Sequence, residues 1–354
     1  MTLSKDNTIP SLAKDIGELI TKLSEHQHGT LVNRALSVLL RIAGEEMDRL
    51  DWKILTAALE DLEQGIQTFY PYRHIRKVTI FGSSRLSSQS SEYRLAVEFA
   101  RRITQFGFMV LTGGGGGIMQ AGNEGAGPEH SFGLNIQLPF EQSANPFIAN
   151  DSKLINFKYF FTRKLFFLRE SDAVALFAGG FGTQDEAFET LTLSQTGKYG
   201  PCPLVLIDEP GGDYWKTWNE HNQKNLLQRG LISTEDFNLY TITDNLAHAC
   251  NVIHNFYCVY HSSRYVGDLF VMRLNSELSD EQVDQLNEDY SDILVKETIY
   301  KSAALPSEKG DETESLPRLV FYFDQRNLGR LYQMINQINQ YSPCLSLEPH
   351  PQWK

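Results

Sequence analysis

The chain has 354 residues, a formal charge of −12 at neutral pH, and 41% hydrophobic and 21% charged residues. That balance belongs to an ordinary globular protein with room for two or three domains. So acidic a chain excludes general binding along a nucleic-acid backbone, which demands a cationic face, but leaves room for a local basic patch that holds one small phosphate.

No apolar run approaches the roughly 18 residues of a membrane span. The first twenty residues lack the apolar core of a signal peptide. A cytoplasmic protein without membrane contact is therefore expected. The cysteines, at 202, 250, 258 and 344, show no CxxC spacing and read as free thiols in a reducing compartment.

Residues 1–70 read as helical. Leu31, Ala35, Val38, Leu39 and Ile42 fall near helical spacing, Gly44 interrupts, and Ile54, Leu55, Ala58, Leu59, Leu62 and Ile66 resume it. Two amphipathic helices with a short connection make a helical hairpin. It reads as a packing appendage or oligomer contact, and nothing in it supports a catalytic role.

At Pro71 the character changes. A β-rich run at 77–81 leads into Gly82-Ser83-Ser84-Arg85, a helical pattern covers 92–105, and an apolar run at 108–111 leads through Thr112 into five glycines, 113–117, and a second helix. This βαβα order is that of an open parallel sheet. In such sheets ligands sit beyond the carboxyl ends of the strands, so the turns 82–85 and 113–117 are candidate site walls. The five glycines are not a dinucleotide fingerprint, because they follow the second strand and no acidic residue is placed for a ribose. A run of five still argues for close approach of a ligand to the backbone.

Next come a strand over 133–139, a polar loop over 141–150, and a short strand over 154–157. The aromatic helix at 160–168 carries Arg163 and Lys164. An arginine fork suits phosphate or carboxylate, so one of the pair is expected to face a cleft. An apolar run at 173–177 then meets Gly179-Gly180-Phe181-Gly182-Thr183, and a helix begins at once with Asp185, Glu186 and Glu189 in its first turns. Helix N-termini offer unpaired N–H groups and a positive dipole end, and glycines let an anion approach. A phosphate cradle with carboxylates beside it suits chemistry a few ångströms from a substrate phosphate.

A strand at 204–208 and helices at 214–228 and 244–260 close this region. His221, His248, His254 and His261 have no metal-ligand spacing. Beyond residue 265 the order is strand 269–274, helix 279–290 with Ser279 as N-cap, strand 297–303, a polar linker over 306–315, strand 319–323 and helix 327–341. This is a small α+β module whose expected role is packing or assembly. The expected fold class is α/β, a doubly wound parallel sheet. Its parts are a helical segment over 1–70, a nucleotide-binding catalytic domain over 71–262 and a small α+β domain over 263–354.

The segment from Gly179 to Glu186 resembles the PGGxGTxxE motif of the LOG family, whose members are often mislabelled lysine decarboxylases. Arg163-Lys164 resembles the family's RK pair, the glycine run enters Ile118-Met119 as the family's does, and Gly82-Ser83-Ser84 matches the turn after the first strand. The resemblance covers roughly residues 72 to 260. The stretch 133–147 resembles the longer bacterial branch, which carries terminal extensions. The resemblance implies a modified Rossmann fold and a homodimer or larger homo-oligomer. It also implies hydrolysis of the N-glycosidic bond of a nucleoside 5′-monophosphate, AMP or a cytokinin-type nucleotide, to free base and ribose 5-phosphate. Neither metal nor cofactor is implied, and the partner is a small nucleotide rather than a nucleic-acid polymer.

By the motif match Arg163 and Glu186 are the catalytic pair. The expected substrate-binding residues are Gly82, Ser83, Gly114, Gly115, Lys164, Gly179, Gly180, Gly182 and Thr183. The 5′-phosphate is assigned to the N–H groups of residues 180–183, and Glu186, one turn further on, to the sugar, where it can stabilise developing positive charge or activate water. Ala178 replaces the motif's proline, which removes no functional atom. Phe160 and Phe167 stand where cytokinin-type members often have methionine, which argues against cytokinin specificity. The alternatives are a nucleotide- or phosphorylated-cofactor-binding sensor without turnover, and a decarboxylase, for which no lysine has a pyridoxal phosphate context.

Overall fold

The computed structural model describes residues 28–138 and 143–342, with the single residues Lys22 and Cys344. Most of the first 27 residues of the expected helical segment, and Pro139 at the end of an expected strand, lie outside them. The chain divides into two compact units, 1–60 and 61–354. In the first unit lie helix α1 (Gly29–Ala43) and the opening of α2 (Arg49–Phe69). The division falls inside α2, at Glu60/Asp61. Leu31, Leu40, Leu50 and Leu59 of the first unit are exposed.

The second unit is built on a seven-stranded parallel sheet of β1 (Lys77–Phe81), β2 (Met109–Thr112), β3 (Ser131–Ile136), β4 (Leu154–Phe157), β5 (Ala173–Phe177), β6 (Leu204–Ile207) and β7 (Tyr240–Thr243). The spatial order is β4-β3-β2-β1-β5-β6-β7, and neighbouring strands pair in parallel throughout. Every residue of β1, β2, β5 and β6 is buried. Parallel strands covered on both faces need such unbroken apolar runs, which is why the sequence reads them plainly.

The connecting helices are α3 (Ser91–Gln105), α4 (Ile118–Ala126), α5 (Phe160–Arg169), α6 (Phe181–Gln195), α7 (Tyr214–Asn222) and α8 (Leu246–Asn255). Alternate strand residues serve alternate faces. Val78, Ile80, Ala175 and Phe177 pack with Phe99 of α3, Ile118 of α4 and Ile253 of α8. Phe81, Leu111, Val174 and Leu176 pack with Phe166 and Phe167 of α5 and Trp215 of α7. The doubly wound α/β sheet expected from the sequence is the fold observed. The strand order reverses between β1 and β5, so the crevice that such folds use opens between their carboxyl ends.

The part of α2 inside the second unit, residues 61–69, lies on α5. Gly65 sits against the Phe166 ring, where a Cβ would have no room, and Phe69 stacks on Phe132 at 4.6 Å. Asp61 is buried and accepts hydrogen bonds from the backbone N–H groups of Lys158 (2.9 Å) and Tyr159 (3.2 Å) and from the Thr162 hydroxyl (2.5 Å). The N-cap residue of α5, Tyr159, has no capping side chain of its own. Asp61 therefore ties the entry of α5 to α2, through the N–H groups just before the helix and the hydroxyl in its first turn.

A separate antiparallel sheet orders β10 (Leu294–Ser302), β11 (Arg318–Phe323), β9 (Leu269–Leu274) and β8 (Tyr260–Val266). Helices α9 (Asp280–Asp289) and α10 (Leu328–Tyr341) accompany it, and Met272, Leu286, Phe321, Leu331 and Ile335 fill its core. Ser279 caps α9 as expected, in a reciprocal capping box with Gln282.

Three sequence expectations are corrected here. Residues 244–260 are not one helix: α8 ends at Asn255 and β8 begins at Tyr260. The stretch 306–315 is no loose linker. Glu308 is wholly buried between Arg273 (2.6 Å) and Arg318 (3.0 Å), and Arg318 also donates to the carbonyls of Thr313, Glu314 and Leu316. Nor are all the cysteines free thiols: Cys258 and Cys344 form a disulfide, whereas Cys202 and Cys250 are buried thiols. No helix among the described residues is long and apolar enough to cross a membrane.

Candidate functional site

Two turns meet at the switch point. After β1 the chain passes through Gly82 and Ser83, and the Ser83 N–H donates to the Ala178 carbonyl at 3.0 Å. Ser83 in turn accepts from the N–H of Ile118 at 3.0 Å, the first residue of α4. A Cβ on Gly82 would strike the Ile118 side chain at 2.7 Å, and one on Gly179 would meet Thr183 and the Ser83 backbone. These two glycines are therefore required by the packing of turn on turn.

Gly180 and Gly182 have a different reason to be small. Nothing lies within 4 Å of where their Cβ atoms would be. Gly180 is the N-cap of α6 and supplies no side-chain cap. The first N–H groups of α6 thus keep the unpaired donors and dipole of a bare helix terminus. The turn is braced from behind. The Tyr214 hydroxyl donates to the Gly179 carbonyl at 2.5 Å and accepts from the Gln184 side chain at 2.6 Å.

The space above this terminus is a cavity of 800 Å³, lined by the 82–85 turn, Met119, Phe160, Arg163 and residues 179–186. That volume lies within the usual range for small-molecule sites, about 300–1,000 Å³. Glu186 is 7% exposed. Burial pushes its carboxyl up to about 7; Lys164 and Arg163 oppose this, and Glu189 and Asp185 add to it. Arg163 lies between the rings of Phe160 and Phe167, at 5.4 and 5.3 Å. Its Nε is buried without a hydrogen-bond partner, and burial draws its pKa down against the pull of Glu186. A desolvated guanidinium with an unused donor is poised for an anion.

Of the residues expected at the site, Gly82, Ser83, Arg163, Gly179, Gly180, Gly182, Thr183 and Glu186 line this cavity. Gly114, Gly115 and Lys164 do not. Gly114 is consumed by the fold. Its N–H donates to the Thr112 hydroxyl at 3.0 Å, and its carbonyl and that of Gly115 accept from the Asn145 amide at 3.1 and 3.0 Å. Lys164 is held by the acidic face of α6, at 2.7 Å from Asp185, 2.6 Å from Glu189 and 3.8 Å from Glu186. Burial works against its charge, but the Asp185 and Glu189 hydrogen bonds prevail and raise its pKa.

The brace of Gln184 and Tyr214 escaped sequence reasoning, as did Asn145. Gln184 sits within the motif, but only the fold brings Tyr214 to it across thirty residues. A second cavity, of 530 Å³, includes residues at the amino ends of β1, β5 and β6. Its half-buried cation is already engaged: Arg76 bonds Asp172 (3.0 Å) and the His261 carbonyl (3.1 Å). The uncommitted donors lie at the carboxyl ends.

Fold and site together define an α/β protein with an anion-receptive turn at the switch point of a parallel sheet and a buried carboxyl one turn beyond it. Residues 107–253 match the family model described as possible lysine decarboxylase, which is that of the LOG family. No curated protein matches the chain. Among solved structures it is similar to the X-ray structure of TM1055, a structural-genomics target, at 23% identity over 51% of this chain and 98% of that one, TM-score 0.37. It is similar to the molybdenum cofactor binding protein of the phototrophic bacterium Rippkaea orientalis at 18% identity, over 49% and 92%, TM-score 0.35. A third likeness is to DNA processing protein A of Helicobacter pylori, a single-stranded DNA binder, at 17% identity, over 50% and 79%, TM-score 0.35.

Proposed function

We propose that the protein hydrolyses the N-glycosidic bond of a nucleoside 5′-monophosphate, releasing the free base and ribose 5-phosphate. The supporting observation is a buried carboxyl, Glu186, facing the same cavity as an arginine with an unused donor and an uncapped helix terminus. In this reading the 5′-phosphate rests on the N–H groups of residues 180–183 and draws on Arg163. As the C1′–N bond breaks, positive charge grows on the ribose ring, and the ionised Glu186 stabilises it and takes a proton from the attacking water. The leaving base carries away the bonding pair and is protonated. Lys164 holds Glu186 and its acidic neighbours in place rather than touching the phosphate, a change from the role expected of it.

The activity belongs to residues 71–262 in this reading, and its setting is the cytoplasm. The substrate is AMP or a related nucleotide, with Phe160 and Phe167 disfavouring cytokinin-type bases. A homo-oligomer is part of the same proposal. Phe160, Phe161 and Leu165 of α5 and Phe181 and Phe188 of α6 are exposed beside the cavity, and exposed apolar surface on this scale suits a partner subunit. Light scattering after gel filtration reads the subunit number.

The deciding experiment is incubation of the full chain with AMP, GMP, CMP and UMP, with chromatography for base and ribose 5-phosphate. Release from at least one, lost in Glu186→Gln, supports the reading. Tight binding by calorimetry with no release from any of them leaves a nucleotide-binding protein without turnover.

A further inference from the structure

Far along the chain from the glycine turn, three soft or borderline metal donors gather. His254 lies in the last turn of α8, Cys258 follows four residues later before β8, and Cys344 comes just after α10. One ligand atom from each falls within 4.8 Å of the other two. A tetrahedral zinc ion with bonds of about 2.0–2.3 Å needs its nitrogen and sulfur donors roughly 3.5–4 Å apart, so modest side-chain adjustment closes the set.

The histidine carries an independent sign of a missing partner. Its ring stacks on Phe106 at 4.8 Å, which fixes its plane, and its Nε2 is buried with no hydrogen-bond partner. A buried polar atom left unpaired costs about 1–3 kcal/mol, and structures keep few of them without a reason. The donor set contains no carboxylate. Imidazole with two thiolates selects zinc-like ions over magnesium or calcium.

We propose that the reduced protein binds one zinc-class divalent cation at His254, Cys258 and Cys344, with water in the fourth position, and that the Cys258–Cys344 disulfide is the alternative, metal-excluding state of the same site. The balance is simple. A dithiol reductant gives two electrons and two protons to the disulfide and becomes a disulfide itself. The two thiols then lose two protons as the cation binds. Both the disulfide and the ion tie the chain after α10 to the turn between α8 and β8, 86 residues away in sequence. Only the reduced, metal-free protein lacks the tie. The proposal does not depend on the chemistry at the glycine turn.

The test uses the full chain, reduced with a phosphine, freed of metal and titrated with cobalt(II). A near-ultraviolet thiolate-to-cobalt band saturating at one ion per chain is expected, bleached by zinc and absent after oxidation with diamide. Cys258→Ser and Cys344→Ser should each abolish it. His254→Ala should weaken binding by more than the roughly 10- to 100-fold typical of an outer-shell change. Cys250→Ser should leave it intact. The absence of a thiolate band in the reduced protein at millimolar cobalt, or its persistence in Cys344→Ser, overturns the proposal.

Discussion

Two glycine-rich loops flank the same crevice, and they use glycine in opposite ways. In the loop after β2, the protein itself occupies the space that glycine opens. Thr112 and Asn145 take the polar groups of Gly114 and Gly115, and Gly117, at φ +64°, lies against the Ser83 carbonyl. In the turn after β5, Gly180 and Gly182 border empty space and the helix N–H groups behind them are uncapped. Glycine count does not separate a packing loop from a binding loop. What separates them is whether another part of the chain fills the room.

The largest expected effect falls on the open side. Glu186→Gln should lower kcat for nucleotide cleavage by about 10²- to 10⁴-fold with an unchanged circular dichroism spectrum. A variant retaining wild-type kcat removes Glu186 from the chemistry. Next in size is Gly117→Val on the packed side. A β-branched side chain at positive φ, pressed on the Ser83 carbonyl, should cost more than about 2 kcal/mol in urea denaturation. Asn145→Ala should cost about 1–3 kcal/mol by stranding the buried Gly115 carbonyl, whereas the Gly114 carbonyl keeps the backbone N–H of residue 145. If these two variants alter KM at unchanged stability, the loop touches substrate after all and the contrast fails.

Gly182→Ala should give the reverse pattern. It should leave stability unchanged or up to about 1 kcal/mol higher, while weakening binding of a phosphate monoester measured by calorimetry. Unaltered binding would place the phosphate elsewhere. The subtlest effect is on pH. Glu186 has its carboxyl raised to about 7, so if the ionised form works, kcat/KM should climb as pH rises towards 7 and level off above it. Stability runs the other way. The folded chain holds this proton more tightly than the unfolded chain, whose value is near 4.5. The group therefore costs nothing below about pH 4.5, and the penalty for ionising it grows to on the order of 3 kcal/mol by pH 8. Glu186→Gln should flatten that slope in thermal melts.

The central sheet was legible because its inner strands are apolar on both faces and so leave unbroken runs. Two of the edge strands, β7 and β8, were not. β7 is mostly half-buried, and β8, YHSSRYV, lines the rim of the small sheet with chiefly half-buried polar residues. Neither offers an apolar run. At the site, the motif named Arg163, Glu186 and the bare helix terminus, which line one cavity in the structure. It also named Gly114, Gly115 and Lys164, which lie off that cavity because they are held by Asn145, Asp185 and Glu189, partners 21 to 31 residues away. Sequence spacing carries no distance between such residues. The cluster of His254, Cys258 and Cys344 escaped for the same reason.

Asp61 carries a practical consequence. A chain begun at residue 71 would retain every strand of the parallel sheet and every residue lining the cavity, yet lose the carboxylate that closes the start of α5. Arg163 lies one turn into that helix. Such a shortened protein should fold and still hold its guanidinium loosely, whereas one begun at residue 58 keeps it in place. The end of α2 that lies in the second unit thus belongs to the machinery that aims the arginine.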